Sequence, residues 1–379
     1  MTPRTGANPE VTLSWQIALG RPIHWMPLLL ETGGRAKVIV APDSDEVVAL
    51  DARNGRMVWR FADGRRLWAD SVAVLGDAVF VAGEGAEVIL LDGATGLPRW
   101  RRSLQPADAT PLTGLEARSK PVLSGDTIYV PTAGVGSRAR VNNTRLHAPL
   151  VALDFKTGRE AWRFQSDGYI LRAPAADAQA GVIYVGGNGL SSADVDEGGA
   201  MRIYALDQTD GRLLWTYQSS DGLIKSLWAG GGRLVFVAYR DFLVGLDAVA
   251  GGEVYRRTTG NWVQSFTPLP LTPAPSGLPA LAYGSANAFL NLADPRDGRL
   301  IWQYNVEGTF NYPIGNAVSD GRTIYFISQR GDLHALDARN GVLRWRRATG
   351  IEARDGPALG AGHLFVAGAD GLVSAFRLP

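Results

Sequence analysis

One short pattern recurs seven times along the chain and restricts the fold more than any bulk property does. It reads ALDARNGRMVW from Ala49, LLDGATGLPRW from Leu90, ALDFKTGREAW from Ala152 and ALDQTDGRLLW from Ala205. It continues as GLDAVAGGEVY from Gly245, LADPRDGRLIW from Leu292 and ALDARNGVLRW from Ala335. The spacing is constant: Asp, three residues, Gly, three residues, aromatic. The Asp positions are 51, 92, 154, 207, 247, 294 and 337, so successive intervals are 41, 62, 53, 40, 47 and 43 residues. Self-similarity at such a period marks stacked or radial repeat architectures.

Each part of the pattern has a physical reading. The apolar run before the Asp suits a buried strand. The Asp carboxylate can accept backbone N–H bonds from the residues just ahead, as in an Asx turn. The Gly supplies positive φ for a hairpin that ends in a bulge. The aromatic residue opens the next strand and is large enough to fill the gap to a neighbouring unit. Two further short strands precede each motif. Before Trp162 they are expected at Lys120–Leu123 and Thr127–Pro131, and before Trp345 at Ile314–Val318 and Thr323–Ile327. Four antiparallel strands per repeat, turning at Gly and Asp, make a propeller blade. The 46 glycines among 379 residues, well above the usual ~7%, agree with many tight turns.

The count closes at eight. The last segment, GPALGAGHLFVAGADGLVSAFRLP, carries three strands but neither turn motif nor Trp. The N-terminal VTLSWQIALG supplies an orphan strand with Trp15. The expected fold is therefore an all-β, eight-bladed β-propeller of four-stranded antiparallel blades, closed by pairing of the N-terminal strand with the C-terminal blade. It is read as one domain over 1–379, with 1–10 a flexible lead.

The pattern A-x-D-x-x-T-G-x-x-x-W resembles the tryptophan-docking motif of quinoprotein propellers. Thr157, Gly158 and Trp162 match it in full; Thr95, Gly96 and Trp100 match from the turn onward. The other turns place Asn54, Asp210, Ala250, Asp297 or Asn340 where the motif has Thr. The chain is thereby similar to two groups of PQQ-like repeat proteins. Quinoprotein dehydrogenases are longer and carry an adjacent cysteine pair over the cofactor, with a catalytic Asp and calcium ligands in the channel. This chain has no cysteine. BamB-like proteins have eight blades and a similar length, and bind a partner rather than catalyse. That resemblance implies a non-catalytic, protein-binding scaffold of the cell envelope, monomeric and without a cofactor. The alternatives are a protein that binds pyrroloquinoline quinone (PQQ) or a quinoprotein-related enzyme, and the sensor domain of a larger receptor. The implied location is the periplasm or outer membrane of a bacterium, on the assumption of a trimmed signal. MTPRTGANPE lacks the basic-then-apolar build of a secretory signal, which keeps a cytoplasmic reading open.

Composition narrows the partner class. Lys+Arg is 38 and Asp+Glu is 37, so no long-range field gathers nucleic acid. No apolar run is long enough to span a membrane as a helix. The four His residues (His24, His147, His334 and His363) show no metal spacing. Asp194, Asp196 and Glu197 depart from the calcium-loop pattern, and Gly186–Gly189 lacks the Lys-Ser/Thr of a phosphate loop.

A binding face is expected opposite the short Asp–Gly turns. The Thr132–Pro149 and Gly186–Ala200 insertions and the Leu104–Arg118 connector all fall there, and long loops on a rigid scaffold commonly carry binding. The entrances of the first strands, which include His24, Asp70, Gln264, Asn311 and Asp355, share that face. Five basic residues stand there: Arg118, Lys120, Arg172, Lys225 and Arg354. They outnumber the acidic Asp70 and Asp355. This suits an anionic ligand or an acidic partner segment, against the plain alternative of wet strand ends. The candidate binding residues are Trp25, Trp68, Arg118, Lys120, Arg172, Lys225, Tyr312 and Arg354. No catalytic residue and no metal ligand is assigned.

Overall fold

In the intact turns the repeat folds as a hairpin whose Asp uses both its backbone and its carboxylate. Asp154 N–H donates to Arg159 O at 2.8 Å and Gly158 N–H donates to Asp154 O at 2.8 Å. Asp154 Oδ1 then accepts Thr157 N–H at 2.7 Å and Thr157 Oγ1–H at 2.6 Å. Those bonds hold its carboxyl below the usual carboxylate range. Thr95 repeats this geometry on Asp92. Asn54, Asp210 and Asn340, at the same position, accept the N–H two residues on, as the Thr157 and Thr95 hydroxyls also do. Asp92 is further forked by Arg99, which also grips Asp77; led by the Arg99 bond, its pKa falls to about 2.

The computed structural model describes residues 11–107, 114–134, 148–166, 170–188, 201–220, 224–238, 241–271, 277–308 and 311–379. Eight four-stranded antiparallel sheets form the blades of a β-propeller. Blade 1 comprises Leu28–Thr32, Arg35–Val40, Glu46–Asp51 and Met57–Ala62. Blades 2 to 7 follow in chain order, each made of four consecutive strands. The first strand of blade 3 starts at Val122 rather than Lys120, because Pro121 has no N–H to give to the ladder. Second and third strands are mostly apolar and mostly buried, and Ala78–Gly83 is buried along its whole length. Fourth strands bury little beyond the aromatic residue, as in Pro98–Ser103. The contrast follows from neighbours on two faces against neighbours on one.

Blade 8 joins the chain ends. Ala358–Gly360, His363–Ala367 and Leu372–Arg377 are followed in the sheet by Thr12–Ala18. Thr12 pairs with Arg377 and Trp15 with Ala375. The N-terminal strand thus covers the sheet edge that the last three strands would expose.

The chain divides into two compact units. One runs to Phe61 and includes Gln264–Asp294 and Arg299–Pro379; the other holds Ala62–Val263 and Pro295–Gly298. In the first, Phe326, Phe365 and Phe376 are fully buried; in the second, Phe80, Tyr184 and Phe236 are.

The outer aromatics repeat one contact. The indole N–H of Trp15 donates to Ala52 O, Trp100 to Phe155 O, Trp162 to Gln208 O, Trp215 to Ala248 O and Trp302 to Ala338 O, all between 2.9 and 3.2 Å. Tyr255 does the same through its hydroxyl to Pro295 O at 2.9 Å. The acceptor is always the residue after the turn Asp or its equivalent. Each ring lies flat enough on the turn glycine that a Cβ there would collide. At Gly158 it would sit 2.6 Å from the Trp100 ring, and at Gly211 2.5 Å from Trp162. The glycine is therefore required twice, for its positive φ of 66° at Gly158 and for this approach.

Blade 7 buries a histidine. His334 is 1% exposed and stacks on Phe326 at 4.7 Å, with Tyr304 OH 3.4 Å from Nδ1. Burial, with Arg346 nearby, lowers its pKa from 6.5 to about 4.

Three outcomes follow from these contacts. Gly158→Ala is expected to cost about 2–4 kcal/mol in urea unfolding, the sum of left-handed strain and collision with the ring. In a Trp100→Ala background it should cost only about 1 kcal/mol, because the collision is gone; equal costs in both backgrounds would show that the ring is not the obstacle. Removing residues 1–20 should lower the melting temperature and cause self-association by exposing the blade 8 edge; an unchanged, monomeric variant would contradict the closure. For His334 the folded pKa lies below the unfolded one, so its contribution is present above about pH 6.5 and is lost as pH falls towards about 4. The loss is about 3 kcal/mol, and His334→Phe should flatten that part of the stability–pH curve.

Candidate functional site

The best-defined candidate lies at the entry to blade 2. Trp68 N–H donates to Ala82 O at 2.8 Å, and Leu67 bridges Gly83. Ser71 Oγ donates to Trp68 O at 2.7 Å and accepts Ala82 N–H at 3.2 Å. These bonds fix the indole against the second strand of the blade and leave it 9% exposed. Gly83 allows the approach, since a Cβ there would stand 3.1 Å from Arg66 O.

Arg118 covers the Trp68 ring, its guanidinium carbon 3.9 Å from the ring centroid; that of Arg66 is at 5.0 Å. Both separations fall within cation–π range. Glu116 lies 3.4 Å from the Arg118 guanidinium. The connector that carries them is clamped by Gln105, which donates to Leu115 O at 2.8 Å and accepts Leu115 N–H at 2.7 Å. Leu115–Glu116 then pairs with Ala133–Gly134 as a small ribbon. The long connector is thus anchored on its described C-terminal side, and Arg118 presents a half-exposed guanidinium beside a rigid indole. The Trp68 indole N–H is buried with no hydrogen-bond acceptor in reach.

Trp25, Tyr312 and Arg354 fall in the other unit. Trp25 is 40% exposed and Arg354 is exposed, while Tyr312 is half-buried and its carbonyl accepts Gln329 N–H. Beside them two chain segments cross at glycine distance: a Cβ on Gly356 would lie 1.9 Å from Asn316 O, and one on Gly315 2.0 Å from Asp355. Asp355 does not project freely as a funnel charge. It accepts Met26 N–H at 3.1 Å and Gly356 N–H at 2.7 Å. His24 faces Asp43 at 3.4 Å.

The structure therefore brings Trp68 and Arg118 together. Lys120 is half-buried near them in sequence. The side chains of Arg172, Lys225 and Gln264 lie outside the described residues, as do 135–147 and 189–200, the bulk of both insertions and the site of Asp194, Asp196 and Glu197. Arg66 and Glu116 had not been singled out, although a signal existed. Arg66 and Trp68, like Glu116 and Arg118, stand two apart in extended chain and so share a face. Without Glu116 the positive character of this entry is overstated.

A calcium-held quinone finds no matching donor set among the described residues. No group of three or more His, Asp or Glu side chains converges there, and the chain has no cysteine. Among the same residues no helix is long and apolar enough to cross a membrane.

Comparison with known proteins places this architecture. A polyvinylalcohol dehydrogenase from Sphingopyxis sp. is 25% identical over 82% of the chain, which spans about half (51%) of that protein's length. The outer membrane protein assembly factor BamB of Yersinia pestis is 23% identical over 95% of the chain and 77% of its own. The crystal structure of BamB from Moraxella catarrhalis shares the fold with a TM-score of 0.64 at 18% identity, covering 97% of this chain and 100% of that one. A family model described as outer membrane protein assembly factor BamB matches residues 8–145, 136–222, 199–280 and 286–378. With matched stretches that take in nearly all eight blades, the chain belongs to the BamB family of PQQ-like repeat propellers.

Proposed function

We propose that the protein is a non-catalytic scaffold of the bacterial cell envelope that binds a protein partner during outer-membrane protein assembly. The observation that carries this reading is the Trp68–Arg118 pair, within a chain whose repeats match the BamB family end to end. An indole pinned by backbone bonds loses little entropy on binding, and Trp and Arg are the residues in which interface energy concentrates. Arg118 offers a planar fork for a carboxylate of the partner, and Glu116 beside it limits how much net charge the partner needs. The location at the periplasmic side of the outer membrane and the absence of a cofactor belong to the same proposal.

Disruption of the gene should lower the amount of folded outer-membrane β-barrel protein. Restoring the chain should recover it, and Arg118→Glu should fail to do so while remaining folded and present at normal level. Arg339→Glu, on an Asp–Gly turn of blade 7, should restore as the parent does. Unchanged barrel levels after disruption would end this reading, and rescue by Arg118→Glu would move the interface elsewhere.

The similarity to the polyvinylalcohol dehydrogenase supports a second reading, a quinone-dependent dehydrogenase. It requires that the purified chain take up PQQ with calcium, seen as a change in visible absorption. A flat spectrum at saturating quinone removes it.

A further inference from the structure

The outer strand ends each sheet, and among the described residues no further strand pairs with it. Folded proteins protect such edges with charge or proline. Five blades do so in one way. The residue after the outer aromatic is Arg60, Arg101, Arg163, Arg256 or Arg346 in blades 1, 2, 3, 5 and 7. Each guanidinium is held by a carboxylate of its own blade, in turn Glu46, Glu87, Glu160, Glu253 and Asp332. A strand laid against such an edge strips water from the ion pair. A second copy laid there antiparallel also brings arginine opposite arginine, which is destabilising.

Blade 4 lacks this protection. Its outer strand, Leu213–Ser219, reads LLWTYQS, seven residues with no charge and no proline. Thr216 stands where the arginine would be. Blades 6 and 8 have Gln303 and Gln16 there, and the Gln16 amide is already engaged by Ser374 Oγ at 2.8 Å. Exposed apolar side chains single out blade 4 further. Leu213 and Leu214 are 44% and 39% exposed at the start of its outer strand, whereas blades 6 and 8 expose one leucine each, Leu300 and Leu13. Val249 is exposed on the blade 5 turn whose Ala248 O receives the Trp215 indole. Charged groups beside the strand are engaged sideways. Arg202 donates to Gln218 Oε1 at 2.8 Å, and Glu253 and Arg256 pair with each other and with Tyr217 OH.

We propose that this edge joins a second copy of the chain, strand to strand, about a two-fold axis at Thr216. Antiparallel pairing centred there sets Trp215 opposite Tyr217, Leu214 opposite Gln218 and Leu213 opposite Ser219. Thr216 meets the same residue of the other copy, and Thr–Thr is a favourable cross-strand pair. The strand is therefore self-complementary, as an isologous interface requires. Two four-stranded blades become one continuous sheet, and both open edges close together. A single strand pair buries less than the ~800 Å² per partner of a standard interface, so the dimer is weak and reversible. It presents the Trp68–Arg118 pair twice, and a partner with two matching segments gains avidity. The pairing itself does not depend on the assembly reading.

Small-angle X-ray scattering of the full chain over a concentration series should show a monomer–dimer equilibrium, half complete at about 0.1 mM. Thr216→Arg, which installs the residue that five other blades carry, should weaken association at least about tenfold. Thr216→Glu should do the same. An equimolar mixture of the two variants should associate again, because opposite charges then meet at the axis; misfolding cannot produce that rescue. Gln303→Arg on blade 6 should leave the dimer unchanged. A chain that is still monomeric at about 1 mM overturns the proposal. So does a dimer that persists in Thr216→Arg, a dimer lost in Gln303→Arg, or a mixture of the two charged variants that fails to associate.

Discussion

Everything regular in this molecule depends on a flat ring resting on a glycine. The outer aromatic of one repeat reaches the next turn, covers its glycine and donates one hydrogen bond to a carbonyl that the turn has aimed. The turn can aim that carbonyl because its Asp fixes the backbone ahead of it, through the carboxylate as well as the main chain. A larger residue at the glycine lifts the ring, and a lost Asp bond moves the carbonyl. The three positions are coupled, which is why they recur together at fixed spacing while the residues between them vary.

That coupling explains what was legible in the sequence. Asp, Gly and Trp at positions 154, 158 and 162 report a local hairpin plus one contact to a neighbour, and repetition turns a weak local signal into a fold. The closure by Trp15 was equally readable, because seven complete motifs and one orphan strand leave a single vacancy. The boundary of blade 3 was misread by two residues only because Pro121 interrupts the ladder.

The candidate site was less legible for a physical reason. Charge at strand entrances can be counted from sequence, but its pairing depends on connectors that the repeat does not govern. Glu116 neutralises part of Arg118, and Asp355 is spent on Met26 and Gly356 N–H groups. Trp68 was visible as an aromatic at a strand entrance. Its rigidity comes from Ser71 and Ala82, and no spacing rule announces that.

Blade 8 also has a consequence for biosynthesis. Thr12–Ala18 pairs with Leu372–Arg377, so the two strands of this ladder leave the ribosome about 360 residues apart. Until Leu372–Arg377 has been made, Thr12–Ala18 carries a row of unsatisfied N–H and C=O groups. Contacts this distant in sequence form late and slowly. Blade 8 therefore stays open until that strand is made, and any factor that shields an unpaired strand has a long opportunity at residues 12–18.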